Sequence, residues 1–307
     1  RKSAAGSSVS VLATSTTGEG ALYQSFFFPS QFEGLNEIKW AGYTQGLFID
    51  TFGNLREDTI KDGRLVYNED YIIQPKFDSA TGTVLVDRFR DTSPADGKPD
   101  TVLPFETAPL TEIESIWEAG KILAKRTTRR IILTWVDKDN DGFVDSGEEI
   151  EFDADTSGID NSTLLAPYLR AGAAPYTSAN IINFVRGNQI AGLRDRRLTV
   201  DGILRVWKFG DPVHSTPTIV GPPAQNFDLV YGDTTYNAFF KAYRTRRQVA
   251  FVGANDGMLH AFNAGFYRAG DDAVGDDATF PRAWTATDPG DVTERLGSGN
   301  VDAPEAW

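Results

Sequence analysis

The twelve residues from Asp137 to Glu148, DKDNDGFVDSGE, constrain this chain more than any other stretch. Counted from one to twelve, Asp137, Asp139 and Asp141 take positions one, three and five, and Gly142 takes position six, where a tight loop must turn. Val144 takes position eight, where an apolar residue is expected to anchor the loop. Asp145 and Glu148 take positions nine and twelve. This is the spacing of an EF-hand-type calcium loop. A calcium ion takes about six to eight oxygen ligands at roughly 2.3–2.6 Å, and alternating aspartates on a tight loop turn their carboxylates inward. The backbone carbonyl of Phe143 is the expected ligand at position seven. RRIILTWV precedes the loop and EIEF follows it, so the flanks read as strands, not helices.

Asp58 to Glu69, DTIKDGRLVYNE, repeats the pattern in weakened form. Asp58, Asp62 and Glu69 hold ligand positions, Gly63 sits at the turn and Leu65 at the anchor. Ile60 occupies position three and brings no oxygen. The stretch is either a weaker calcium loop or a β-turn of the same shape. Asp91 to Asp100 fits the pattern poorly and reads as a solvated Asp-Gly turn, although Asp91, Asp96 and Asp100 are candidates to share a cation.

The formal net charge of the 307 residues is −13, a field that disfavours nucleic acid and anionic lipid. The absence of cysteine excludes disulfides, thiolate zinc sites and thiol nucleophiles. His214 and His260 are the only histidines, too few for a multi-histidine metal centre. No run approaches the ~18–20 apolar residues of a membrane-spanning helix. The opening RKSAAGSSVS has neither an initiator methionine nor a signal peptide, and the chain is expected to be a piece of a longer protein.

Residues 1–20 read as a linker or first edge strand. ALYQSFFFPS reads as a buried strand ended by Pro29, with Phe26–Phe28 as core. Thr111 and Glu114 form a capping box, which predicts a helix over Thr111–Lys125 with Ile113, Ile116, Trp117 and Leu123 on one face. Asp160–Leu169 and Thr177–Arg186 predict two more helices, the second capped by Ser178. The Arg194, Arg196, Arg197 cluster has no interleaved aromatics and reads as a solvated loop or a source of internal salt bridges.

From Val206 the texture changes to short strands and tight turns, as in a β-propeller blade. FDLVYGD reads as one such strand. Val249–Gly253 is expected to turn at Asn255-Asp256-Gly257 into Met258–Asn263. Both histidines read as structural strand residues. The acidic tail after Gly270 is expected to lead into a further blade.

GDPVHSTPTIVG and VAFVGANDGMLHAFNA, with the aromatic stretch YGDTTYNAFFKAYRTRR between them, closely resemble the opening of the propeller in the PilC/PilY-type family of type IV pilus tip adhesins. INFVRGN and IWEAGKILAKR resemble the region before that propeller. The resemblance covers residues 110–265 well and the first hundred weakly. It implies export across the outer membrane to the cell surface and a place at the pilus tip. Its implied partners are minor pilins, other tip subunits, a host or surface ligand and the rest of a longer chain, with no nucleic acid and no membrane span. The family's Asp-rich calcium loop maps onto Asp137, Asp139, Asp141 and Asp145 with the Phe143 carbonyl, here ahead of the blades.

The expected fold is mainly β with a few helices. Residues 1–205 form a strand-rich α+β segment carrying the calcium loop. Residues 206–307 begin a quinoprotein-like β-propeller, about two blades and not closed, since a blade takes ~40–50 residues. The expected function is a calcium-binding part of a pilus tip adhesin and biogenesis protein, without catalysis. The alternative is a quinoprotein-like dehydrogenase, whose look the blade motif shares. The chain has no G-x-S-x-G, Walker loop or H-E-x-x-H.

Overall fold

The computed structural model describes residues 8–13, 20–61, 63, 65–93, 96–156, 158–221, 223, 225–243 and 248–265. The readings for residues 1–7 and 14–19, for Asp62 and for the tail after Gly265 lie outside these. By compactness the described chain divides into two units. The first comprises the residues up to Pro29, Trp40–Ile122 and those from Phe209 on. The second comprises Ser30–Lys39 and Leu123–Lys208. The structure is mainly β with a few helices, as expected.

In a sheet that belongs to the first unit except for residues 30–39, strands β1 (Ser8–Ala13), β2 (Gly20–Glu33), β3 (Asn36–Ile49), β4 (Leu55–Arg56), β5 (Ile72–Asp78), β6 (Thr83–Phe89) and β7 (Glu106–Pro109) follow one another in chain order. Strand β8 (Trp117–Glu118) joins it on β3. Strand β2 runs through Pro29 instead of ending there. Among the described residues β1 pairs with Gly20–Ser25. Phe26 and Phe27 are buried as expected, Phe26 stacking on Tyr43 with ring centroids 4.9 Å apart.

One buried ionic knot holds the turns of this sheet. Arg56 is fully enclosed. Its Nε donates to Asp50 at 2.7 Å, one terminal nitrogen donates to the Tyr67 and Asp70 carbonyls, and the other pairs with Asp91. A guanidinium without partners could not stay buried, so this fork ties three turns together.

The helix expected from Thr111 begins eight residues late, at α1 (Ala119–Lys125). Leu110–Glu112 is a single 3-10 turn. Residues 116–118 are taken by β3 instead: the Ile116 N–H donates to the Gly46 carbonyl, and Trp117 and Glu118 pair with Gly46 and Gln45. Glu118 then caps the helix, its carboxylate accepting the N–H groups of Gly120 at 2.8 Å and Lys121 at 2.7 Å. Pairing with an existing sheet outweighs a local capping signal.

In the second unit β9 (Leu133–Trp135) and β10 (Glu149–Glu151) are antiparallel and flank the acidic loop. Helices α2 (Ser162–Leu165) and α3 (Ser178–Arg186) close one face of this hairpin, where Val136, Ala154, Leu165 and Ile182 form a small core. The cap of α3 is Thr177, one residue before the expected Ser178; its Oγ1 accepts the Asn180 N–H. Strands β11 (Arg197–Val200) and β12 (Ile203–Val206) form a hairpin around Asp201-Gly202, both at positive φ as a primed turn requires. The arginine cluster makes internal contacts: Arg197 pairs with Asp195, and Arg196 lies over the Phe184 ring.

Back in the first unit, β13 (Thr218–Val220), β14 (Gln248–Gly253) and β15 (Leu259–Gly265) form a three-stranded antiparallel sheet. The turn at Asn255-Asp256-Gly257 is where the sequence placed it. Between β13 and β14, FDLVYGD forms not a strand but helix α4 (Phe227–Tyr231), followed by α5 (Thr234–Tyr243). Asp233 caps α5 by accepting the N–H groups of Thr235 and Tyr236. Tyr236, Phe239 and Tyr243 recur at helical spacing and meet ring to ring, a period that overrides the strand-like composition. His214 sits in an exposed turn and not on a strand.

Burial raises the Glu118 carboxyl from 4.5 to about 7, against the N–H groups of Gly120, Lys121 and Thr44 and the Lys121 charge. Between those two values the folded chain keeps a proton that the unfolded chain has lost, so stability falls as pH rises through that window. The span between those two values caps the loss at roughly 3 kcal/mol. Thermal midpoints of Glu118→Gln should lose this slope relative to the parent protein; an unchanged slope would place the titration elsewhere.

Candidate metal centre

The loop closes the open end of the β9–β10 hairpin, the Val136 N–H donating to the Glu148 carbonyl at 3.0 Å. Its first residue shapes it. Asp137 accepts the Asn140 N–H on Oδ1 at 2.5 Å and the Gly142 N–H on Oδ2 at 2.9 Å. Two left-handed residues, Asn140 at φ 62° and Gly142 at φ 82°, make those bonds possible. Asp139 accepts the Asp141 N–H at 3.3 Å, and Asp141 accepts the Phe143 N–H at 2.7 Å. Each aspartate is thus turned back over the loop by an amide further along.

The outcome is a convergence. Asp137, Asp139 and Asp141 each offer one carboxylate oxygen, and the three oxygens lie within 4.8 Å of one another. Two oxygens on opposite sides of a calcium ion at roughly 2.3–2.6 Å stand about 4.6–5.2 Å apart, so the three fit around one such ion. Hard oxygens, with no sulfur or imidazole among them, suit calcium or magnesium over zinc or copper. Among the described residues this is the one group of three or more histidine or acidic side chains gathered so closely.

The other expected ligands stand differently. Asp145 and Glu148 do not join that group. Glu148 is buried and accepts the N–H groups of Lys138 at 2.6 Å and Asp145 at 3.0 Å. Those two bonds, Asp145 first, hold its carboxyl below the usual range despite the Asp137 charge nearby. It braces both ends of the loop. The Phe143 and Val144 side chains are exposed, so Val144 does not anchor the loop to the core as expected. Val136, just before the loop, takes that part.

The weaker loop keeps the same first bond, Asp58 Oδ2 accepting the Gly63 N–H at 3.1 Å. Here the inside is filled by Asp70, which accepts the N–H groups of Thr59 at 2.8 Å and Val66 at 2.7 Å. Asp58 is buried and Glu69 faces outward. Asp62 lies outside the described residues. The Asp91–Asp100 turn is closed within itself, Asp100 accepting the N–H and hydroxyl of Thr92, while Asp91 is spent on Arg56.

The two motifs that carry the family resemblance are clamped to each other. The Gly210 N–H donates to Asp256 Oδ2 at 3.0 Å, and Asn255 Nδ2 donates to Asp211. The Gly253 N–H donates to Ser215 Oγ at 3.0 Å. His260 Nε2 lies 2.9 Å from Asp256 Oδ2, with its ring enclosed by Phe209 and Phe262. Burial works against the Asp256 charge, but His260 and the Gly210 and Met258 N–H groups outweigh it and hold its pKa down. His260 is on a strand as expected, and Asp256, in the turn before β15, is its partner. A Cβ at Gly210 would stand 2.8 Å from Asp256, so the clamp closes only over glycine.

No protein-family model matches this chain, and no solved structure matches it. It is similar to two curated proteins. One is a type IV pilus biogenesis factor PilY1 homolog from Xylella fastidiosa (strain Temecula1 / ATCC 700964), 37% identical over 116 residues, which are 34% of this chain and 9% of that protein. The other is the type IV pilus biogenesis factor PilY1 of Pseudomonas aeruginosa (strain UCBPP-PA14), 34% identical over 90 residues, 28% of this chain and 7% of that protein. The matched stretches span less than a tenth of either relative. The resemblance to PilY1-type proteins read from the motifs is thus met again in named relatives.

Calorimetry separates the two loops. Asp141→Ala should weaken calcium uptake strongly, because it removes one of three converging oxygens, while Glu69→Ala should leave that tighter uptake as it was and touch only a weaker second one. Uptake unchanged in Asp141→Ala would remove the assignment.

Proposed function

On the premise of that likeness, we propose that this chain is a calcium-binding part of a type IV pilus biogenesis and adhesion protein, working by protein–protein and surface contacts and not by catalysis. The observation that carries the calcium half is the convergence of Asp137, Asp139 and Asp141. The pilus half is supported by what the two relatives are named for. In this reading Asp137, Asp139, Asp141, Asp145, the Phe143 carbonyl and Glu148 hold the ion, with Asp58, Asp62 and Glu69 as a weaker second set. Asp145 and Glu148 would have to exchange their present bonds for the ion.

The sheet β13–β15 supplies three of the four strands of a blade, which supports reading residues 206–307 as the start of a β-propeller after a segment of residues 1–205. Minor pilins and other tip subunits, a surface or host ligand and the rest of a longer chain would be its partners, and the outside of the cell at the pilus tip its place. No helix among the described residues is long and apolar enough to cross a membrane. His260 and Asp256 are occupied in joining two motifs, which favours contact over catalysis as the use of this region.

A loop held between two strands acts on stability, not as an opening sensor. With calcium about tenfold above its dissociation constant, mass action adds roughly 1.4 kcal/mol. A chelator should therefore lower the melting temperature by about 2–4 °C, and calcium should expose no new dye-binding apolar surface. Gold-labelled antibody against the full-length protein should decorate pilus ends. Dye binding that rises with calcium while melting stays fixed would make the loop a sensor, and label confined to the cell interior would overturn the pilus reading.

A further inference from the structure

The β9–β10 hairpin has one open edge and one uncovered face. Bonds between its strands use residues 132, 134 and 136 of one side and 148, 150 and 152 of the other: the Val136 N–H donates to Glu148 and the Phe152 N–H to Ile132. Antiparallel geometry then points the N–H and C=O groups of Leu133 and Trp135 away from β10. The outer side of β10 is occupied, since the Glu151 carbonyl accepts from Asn161 Nδ2 at 2.8 Å and from the Asp153 N–H at 3.0 Å. No such bond is made on the outer side of Leu133 or Trp135 among the described residues.

The side chains tell the same story. Val136 faces the small core with α2 and α3. Ile131, Leu133 and Trp135, on the other face, are 44%, 66% and 43% exposed. Two strands alone are marginal in water, and an apolar edge strand is a template for another chain. Natural proteins blunt such an edge by keeping it short or with lysine, proline or a bulge; β9 is short, at three residues, but carries no lysine or proline.

Charge decides what can lie there. Glu149 stands directly opposite Trp135, and Asp139, Asp141 and Asp145 project from the adjoining loop, all exposed. A second copy of this chain would bring a like-charged loop to the seam. A strand with lysine or arginine at its ends meets those carboxylates favourably, and Trp135 offers a ring face to a cation.

We propose that β9 is a docking edge for an extended segment of a partner protein, apolar in alternation and flanked by basic residues, added as a third strand beside Leu133 and Trp135. A divalent ion held by Asp137, Asp139, Asp141, Asp145 and Glu148 would leave these five carboxylates net negative, so a basic flank is still attracted, though less strongly.

The probe is a short synthetic peptide of alternating valine and threonine flanked by lysines, compared with one flanked by glutamates, with amide hydrogen exchange as the readout. With the lysine peptide about tenfold above its dissociation constant, exchange at Leu133 and Trp135 should slow about tenfold. The glutamate peptide should leave it unchanged. Leu133→Pro removes an outward N–H that β10 does not use and should abolish the effect, with Val136 and Phe152 still protected as proof of an intact hairpin. Trp135→Thr, which keeps every backbone group and adds no charge, should weaken binding as well. Equal protection by both peptides, no protection by either, or protection undiminished in Trp135→Thr would overturn the proposal. Slowed exchange on raising protein concentration alone would make the occupant a second copy.

Discussion

The two amide hydrogens that Asp137 accepts are the constraint on which the acidic loop depends. Taking Asn140 on one oxygen and Gly142 on the other forces the backbone into the left-handed region twice within three residues. Gly142 is needed for that conformation and not for space, since a Cβ there would meet nothing within 4 Å. With the turn made, Asp139 and Asp141 lie beside Asp137, each held by an amide further along the loop. Three like charges so close repel one another, and a bound cation is what reverses the sign of that interaction. Glu148 holds the far end, and Val136 carries the loop into the core between the hairpin and its helices.

Much of the chain's excess of acid is used in the same way. Asp50 accepts the Phe52 and Asn54 amides, Asp70 those of Thr59 and Val66, Asp233 those that start α5, and Asp256 those of Gly210 and Met258. A charge-assisted bond to a backbone amide is stronger than a neutral one, and in a chain with no disulfide such bonds fix the turns. The two aspartate-led loops start alike and differ inside. Both make the bond from position one to position six, but in Asp58–Glu69 the interior amides go to Asp70, and Ile60 brings no oxygen.

How much could be read from the sequence follows from the range of each interaction. The loop at 137–148, its strand flanks and the hairpin turn at 255–257 are specified by neighbours a few residues apart, and the sequence showed them. The length of α1 was not legible, because residues 116–118 were claimed by β3, some seventy positions upstream. Helices α4 and α5 were obscured by β-like composition, although Tyr236, Phe239 and Tyr243 carried the helical period and Asp233 the cap. The exposed Val144 shows the limit of borrowing a motif: the residue expected to anchor the loop faces solvent, and Val136 does its work. The partnership of His260 with Asp256 was visible only as a spacing of four, which on a turn into a strand has no fixed meaning.

The account rests on one cation among Asp137, Asp139 and Asp141, and a crystal structure grown with calcium tests it most directly. It should show an ion with one oxygen from each of the three at roughly 2.3–2.6 Å and with Glu148 released from at least one of its two amides. Clear density for the loop at millimolar calcium, with no ion between those carboxylates, would contradict it.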